Sequence, residues 1–105
     1  MKKIGVFYNT EEFKNVLFWF LTKNNYKCYR IRKDRIYFND NTQILFFKVS
    51  ANQARGYKLD ESWIEENIDA EYYNVVIFPI SKHIKTVKTV YDLANILKEY
   101  GDTLS

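Results

Sequence analysis

Apolar positions along the chain fall into short blocks whose spacing changes from one block to the next, and the spacing predicts the elements. Ile4 to Tyr8 is a compact run with β-branched and aromatic members, expected to be a strand. Asn9 followed three residues later by Glu12 has the form of a capping box, and acids in a first turn suit the helix dipole. Phe13, Val16, Leu17, Phe20 and Leu21 then recur at helical spacing, predicting a helix from about Thr10 to Lys23 with those residues in the core. Phe18 and Trp19 lie partly off that stripe, so the helix is either covered on two sides or presents an aromatic edge to a partner.

Three β-like runs follow, "YKCYRI", "RIYFN" and "TQILFFKV", separated by "RKD" and "DN", both good turn chemistry. They predict a meander over residues 26–49. In its third run Ile44 and Phe46 point to one side, and Leu45, Phe47 and Val49 to the other. Apolar residues on both sides are the mark of a central strand covered on both faces. Residues 57–65 and 69–80 have mixed signals, strand composition in places and helical spacing in others, and stay open between the two. Val90, Leu93, Ala94, Leu97 and Tyr100 form a stripe that predicts a C-terminal helix from about Thr89 to Tyr100, with Gly101 as its cap. The pattern as a whole gives a single α/β domain over residues 1–105. Its expected form is a mixed or antiparallel sheet of four or five strands flanked by an N-terminal and a C-terminal helix.

Composition supports a folded core: 47% of the 105 residues are hydrophobic and 18% aromatic, with only three Gly and one Pro. At this size the large aromatic side chains carry much of the burial. Cys28 is the only cysteine and cannot form an internal disulfide, which suits a reducing compartment. The only histidine, His83, is far from it in sequence, so neither a Cys–His pair nor a metal site is expected; Cys28 reads as a small hydrophobe and His83 as a surface residue. No signal peptide is expected after Met1-Lys2-Lys3, and no apolar run approaches the roughly 18 residues of a membrane span, so the expected location is cytoplasmic.

The net charge of +3 is unevenly spread. Between Lys23 and Arg35 stand six basic residues and one acid; between Asp60 and Asn74, six acids and no base; the segment Lys82 to Lys88 is basic again. A folded chain with these blocks carries a positive and a negative surface. The basic, aromatic hairpin supplies the candidate nucleic-acid residues Lys27, Arg30, Arg32, Lys33 and Arg35. Cations neutralise phosphates, and exposed tyrosines stack on bases. A charged edge that blocks strand-to-strand association is an equally simple reason for the same residues. The acidic stretch supplies the candidate partner-binding residues Asp60, Glu61, Trp63, Glu65 and Glu66; a solvated acidic face beside a buried Trp63 and Ile64 is the plainer account of it. Arg55-Gly56 reads as a loop in which Gly supplies a positive φ.

The stretch "RIYFNDNTQILFFKVSANQARGYKLDESWIEEN", with "GVFYNTEEFKNVLFWFLTKNN" before it, resembles the middle of the ATPase core of phage terminase large subunits over about residues 4–80. "NDNT" stands at the polar turn between two apolar strands, and "SWIEE" stands at the Walker B strand. The resemblance implies that Glu65 helps hold magnesium and that Glu66 orients the attacking water. No G-x-x-x-x-G-K-[ST] occurs, and none of Gly5, Gly56 and Gly101 opens a phosphate loop, so the nest of N–H groups that cradles a triphosphate is missing. The resemblance therefore bears on fold and origin more than on activity.

These readings combine into a non-enzymatic accessory protein of phage or mobile-element type, binding nucleic acid or a nucleoprotein through its basic hairpin, with no catalytic residue, metal or cofactor. The alternative is an inhibitor or adaptor that uses the acidic 60–71 surface to dock on a host or phage protein, for example a defence nuclease of the restriction or CRISPR kind. A metal-dependent phosphoryl-transfer enzyme is the third reading.

Overall fold

A computed structural model describes residues 2–23, 28–38, 41–51, 54 and 56–87. Lys27, Arg55 and the expected helix over residues 89–100 lie outside the described residues. Strand β1 (Lys3–Tyr8) leads into helix α1 (Glu11–Lys23). Strands β2 (Cys28–Arg32), β3 (Arg35–Phe38) and β4 (Gln43–Lys48) follow, the last running into a short 3₁₀ turn at Val49–Ala51. Then come β5 (Leu59–Glu65), a helix α2 over residues 70–80, and β6 (Ser81–Val87). The α/β class and the N-terminal helix agree with the sequence pattern.

The strands form one mixed sheet in the order β2-β3-β4-β1-β5-β6, one strand more than the upper expectation. β1 is parallel to both β4 and β5, and β5 to β6, whereas β3 is antiparallel to β2 and β4. The meander is therefore one flank of the sheet, and β1 and β4 are interior strands that cannot spare a polar face. Ile4 and Val6 point to one side with Ile44, Phe46 and Leu17 of α1; Phe7, Leu45 and Phe47 point to the other with Val76 and Ile77 of α2. The two helices thus cover opposite faces.

Two segments left open by the sequence resolve differently. Residues 59–65 are a strand although they contain Glu61 and Ser62, both buried. Each is satisfied: the Trp63 indole N–H donates to Glu61 Oε1 at 2.9 Å, and Ser62 Oγ lies 2.6 Å from Ser81 Oγ on β6. Residues 70–80 are a helix although "YYNVVIFPI" has strand composition. Asp69 starts it, its side chain accepting the Tyr72 N–H at 3.0 Å. Tyr73–Ile77 is a π-helical stretch, which re-aims the apolar side chains, and Pro79 sits in the last turn before β6 begins.

The cap of α1 is a correction to the sequence reading. The Thr10 hydroxyl, not Asn9, accepts the Phe13 N–H, at 3.4 Å. Asn9 is engaged elsewhere: its Nδ2 donates to the Asn67 carbonyl at 3.2 Å, and its backbone N–H donates to Glu65. Phe13, Val16 and Phe18 pack against the core beside fully buried Leu17, whereas Trp19 is 52% exposed. The side chains of Phe20 and Leu21 lie outside the described ones. Gly56 takes φ 88°, the conformation that its loop position called for.

Candidate nucleic-acid interface

Pairing in an antiparallel ladder places opposite residues on the same face. Arg30 lies opposite Tyr37, Arg32 opposite Arg35, Arg35 opposite Leu45, and Tyr37 opposite Gln43. Because Leu45 belongs to the core under α2, all of these side chains stand on the α2 side of the sheet. α2 packs over β1, β4 and β5 through Val76 and Ile77. The β2–β3 flank extends past it, so the cations gathered by the hairpin share one face with two tyrosines.

The contacts within that face order it. Arg35 Nη2 donates to the Tyr57 hydroxyl at 2.8 Å, and the Arg30 guanidinium lies over the Tyr37 ring, 5.9 Å from its centroid. Tyr57 is held from beneath by Phe47, centroid to centroid 5.1 Å, and Phe47 by Phe7 at 5.3 Å. A hydrogen bond to Tyr37, with the Tyr57 hydroxyl in support, holds the Arg35 pKa above the ordinary arginine value. Tyr37, Tyr57 and Arg35 are half-buried, while Arg30, Arg32 and Lys33 are exposed. Arg32 and Lys33 make no ion pair among the described residues.

The one acid of the hairpin faces the other way. Asp34, in the β2–β3 turn, accepts from Lys14 Nζ of α1 at 2.9 Å. Burial alone would push the Lys14 ammonium down, but Asp34 and Tyr8 outweigh it and hold its pKa above the usual lysine value. That ion pair ties the turn to the α1 side. No residue of β2, β3 or β4 that points to the α2 side is a carboxylate.

The acidic candidates do not share a surface in this way. Asp60 accepts the Lys3 backbone N–H at 2.8 Å and pairs with Lys82 at 3.5 Å; the Lys3 bond, then Lys82, hold its pKa below the ordinary aspartate value. Glu61 pairs with Lys85 at 3.1 Å and Lys2 at 3.6 Å. Burial pushes its pKa up, but the Trp63 indole and the two lysines together bring it below the usual glutamate value. Trp63 is 1% exposed. His83 lies with Lys2, Asp60, Glu61 and Lys82 around an open depression near the starts of β1, β5 and β6.

Glu65 ends β5 and reaches the start of α1. Its Oε1 accepts the backbone N–H groups of Asn9 (2.8 Å) and Thr10 (3.1 Å), and its Oε2 accepts the Thr10 hydroxyl (3.0 Å). Glu66 is exposed, its backbone N–H donating to the Val87 carbonyl at 3.2 Å. Of the five partner-binding candidates, Asp60, Glu61 and Glu65 are thus committed to intramolecular cations or N–H groups, Trp63 is core, and Glu66 faces solvent. Among the described residues no group of three or more His, Cys, Asp or Glu is placed to hold a metal, and no helix is long and apolar enough to cross a membrane.

The sequence reading pointed to the hairpin's tyrosines without singling out Tyr37, and it missed Tyr57. The hairpin cations were legible as a charge block, but Tyr57 sits 22 residues from Arg35, and only the sheet brings the two together. The period-two alternation of "RIYF" was the available signal for Tyr37. Searches of family models, curated proteins and solved structures found no match to this chain.

Proposed function

We infer that the protein is a non-enzymatic nucleic-acid-binding module that contacts phosphates through the β2–β3 hairpin. The observation that supports this best is the charge arrangement of the α2-side face. Arg30, Arg32 and Arg35 stand together on it with Lys33 at the turn, while the hairpin's one acid is drawn to the opposite side by Lys14. Among the described residues Arg32 and Lys33 make no ion pair; cations so placed keep their field for an outside anion, and polyanionic nucleic acid is the partner such a field recruits.

The non-enzymatic part rests on Glu65. At the carboxyl ends of parallel strands, next to a helix N-terminus, phosphate-binding proteins direct free N–H groups at the ligand. Here a carboxylate of the chain itself takes the backbone N–H groups of Asn9 and Thr10, just ahead of the helix. A magnesium role for Glu65 competes with three hydrogen bonds, and a triphosphate approaching this corner meets a negative charge.

A protein-docking reading has one observation in its favour. Val75 and Phe78, three residues apart on α2, are 60% and 64% exposed and place two apolar side chains on the helix surface. The two readings separate in a single binding series. Oligonucleotide binding at low salt should be weakened by Arg30→Ala, Arg32→Ala and Lys33→Ala together and unaffected by Val75→Ser with Phe78→Ser. Absence of any oligonucleotide binding by the wild-type protein at low salt would remove the nucleic-acid reading.

A further inference from the structure

We propose that the ligand of this face is single-stranded nucleic acid, whose unpaired bases stack on Tyr37 and Tyr57 while Arg32 and Lys33 hold the backbone. The inference rests on the nucleic-acid reading above and specifies its substrate class. It follows from where the cations and rings stand relative to one another.

A duplex offers proteins its phosphates and the edges of its bases; the flat faces of the bases are stacked and closed. An element that reads a duplex therefore projects, as a helix or ribbon entering a groove. The arginines and tyrosines here do not project. They lie on the broad side of three adjacent strands, β2, β3 and β4, a surface roughly 10 Å across at ordinary strand spacing. Tyr37 and Tyr57 are half-buried in that surface, with their apolar bodies supported by the sheet and Phe47. A ring in that position is of no use to a duplex, but it presents a platform to an unstacked base.

The ordering of the platform supports the same conclusion. Tyr57 belongs to the connection between β4 and β5, and a loop tyrosine left alone would sample several rotamers. Its hydroxyl is fixed by Arg35, and its ring rests against Phe47. Tyr37 is paired with the Arg30 guanidinium. Bases stack on guanidinium planes as well as on rings, so Arg30 stands as a second stacking group close to Tyr37. The cost of ordering these side chains has already been met within the fold, so less is lost when a strand binds. The exposed Arg32 and Lys33 stand at the end of the platform nearest the turn, where the sugar–phosphate backbone would leave it. The dimensions suit a short footprint of roughly two or three bases.

Stacking is tolerant of base identity, because every base has a π-face. Preference for single strands without strong sequence preference is therefore the expected behaviour.

The test compares three ligands that carry the same number of phosphates: oligo-dT, a strand of the same length with abasic sites throughout, and a duplex of half that length in base pairs. Binding is followed by fluorescence anisotropy at low salt, with melting temperature as the folding control. The proposal expects oligo-dT to bind about tenfold or more tighter than the abasic strand and the duplex. It also expects Tyr37→Leu to lose about tenfold to a hundredfold on oligo-dT and little on the abasic strand. Tyr37→Phe, which keeps the ring, should bind like the wild type. If the duplex or the abasic strand binds as tightly as oligo-dT, the single-strand proposal is overturned while the phosphate reading stands. If no ligand of the three binds, the nucleic-acid reading itself falls. The comparison of ligands on the wild-type protein needs no variant, so a Tyr37→Leu protein that does not fold leaves the decision intact.

Discussion

The Glu65 carboxylate accepts both the backbone N–H and the hydroxyl of Thr10, at 3.1 and 3.0 Å, across 55 residues of sequence. The contact joins the end of β5 to the residue just before α1 and places a fixed negative charge at the positive end of that helix. It fastens the helix to the sheet at the corner where a phosphate would otherwise find free donors.

Glu65→Ala should therefore lower stability, by about 1–2 kcal/mol for hydrogen bonds at a partly solvated site. Glu65→Gln should cost less, since an amide oxygen still accepts from Asn9 and Thr10. Chemical denaturation of the three proteins measures the difference. Neither the wild type nor the variants should gain melting temperature with magnesium and ATP; a nucleotide-dependent rise that vanishes in Glu66→Gln would restore the hydrolase reading.

Leu17 and Trp19 lie two residues apart on α1 and should answer very differently to truncation. Leu17 is fully buried between β1 and β4, and Leu17→Ala should cost about 2–5 kcal/mol. Trp19 is 52% exposed, so Trp19→Ala should cost much less. Equal losses in urea unfolding would place the helix on a different face from the one described.

Gly5 is held small by its neighbours rather than by its backbone. A Cβ on it would stand 2.5 Å from Leu59 Cδ1 and 3.2 Å from the Phe7 ring. The leucine methyl can swing aside, but the ring and the tight side under α2 leave little room. Gly5→Ala should destabilise by about 1–3 kcal/mol, read as a shift in denaturation midpoint at unchanged slope.

Asp60 and Glu61 make stability depend on pH on the acid side. Both have pKa values below their ordinary ones of 3.8 and 4.5, because a backbone N–H, an indole and lysines favour their charged forms against burial. A carboxyl depressed on folding contributes stability that is present above its unfolded value and lost as pH falls through the folded one. The melting temperature should thus hold level down to about pH 5 and fall below pH 4.5. In Glu61→Gln it should be lower at neutral pH and fall less steeply on acidification. A wild-type curve flat from pH 6 to pH 3 would contradict the ion-pair description.

How much of this was legible in the sequence depended on where each signal was stored. β1, α1 and the meander were readable because their apolar period matches their environment: Ile4 and Val6 against α1, Ile44 and Phe46 beside them, Leu45 and Phe47 on the far side. β5 was not, because Glu61 and Ser62 sit inside it and are satisfied by the Trp63 indole together with partners brought from β6 and the N-terminus. β6 reads as a basic, solvated segment; its exposure at Lys82, His83 and Lys85 hides a strand that only its register with β5 reveals. α2 defeated composition because its valines and tyrosines are strand formers that tertiary packing of Val76 and Ile77 holds in a helix. The site followed the same rule. The cations were a local block, whereas the Arg35–Tyr57 bond and the withdrawal of Asp34 by Lys14 are products of the fold.

The salt dependence of oligonucleotide binding tests the central claim most directly. If Arg30, Arg32 and Lys33 neutralise phosphates, the logarithm of the association constant should fall linearly with the logarithm of salt concentration, by about 0.7 per phosphate contact on a single strand. Replacing all three by alanine should reduce that slope by about 2 and weaken binding of every sequence alike. A slope that is the same in the wild type and the triple variant would show that the hairpin does not contact phosphates, and would contradict the account.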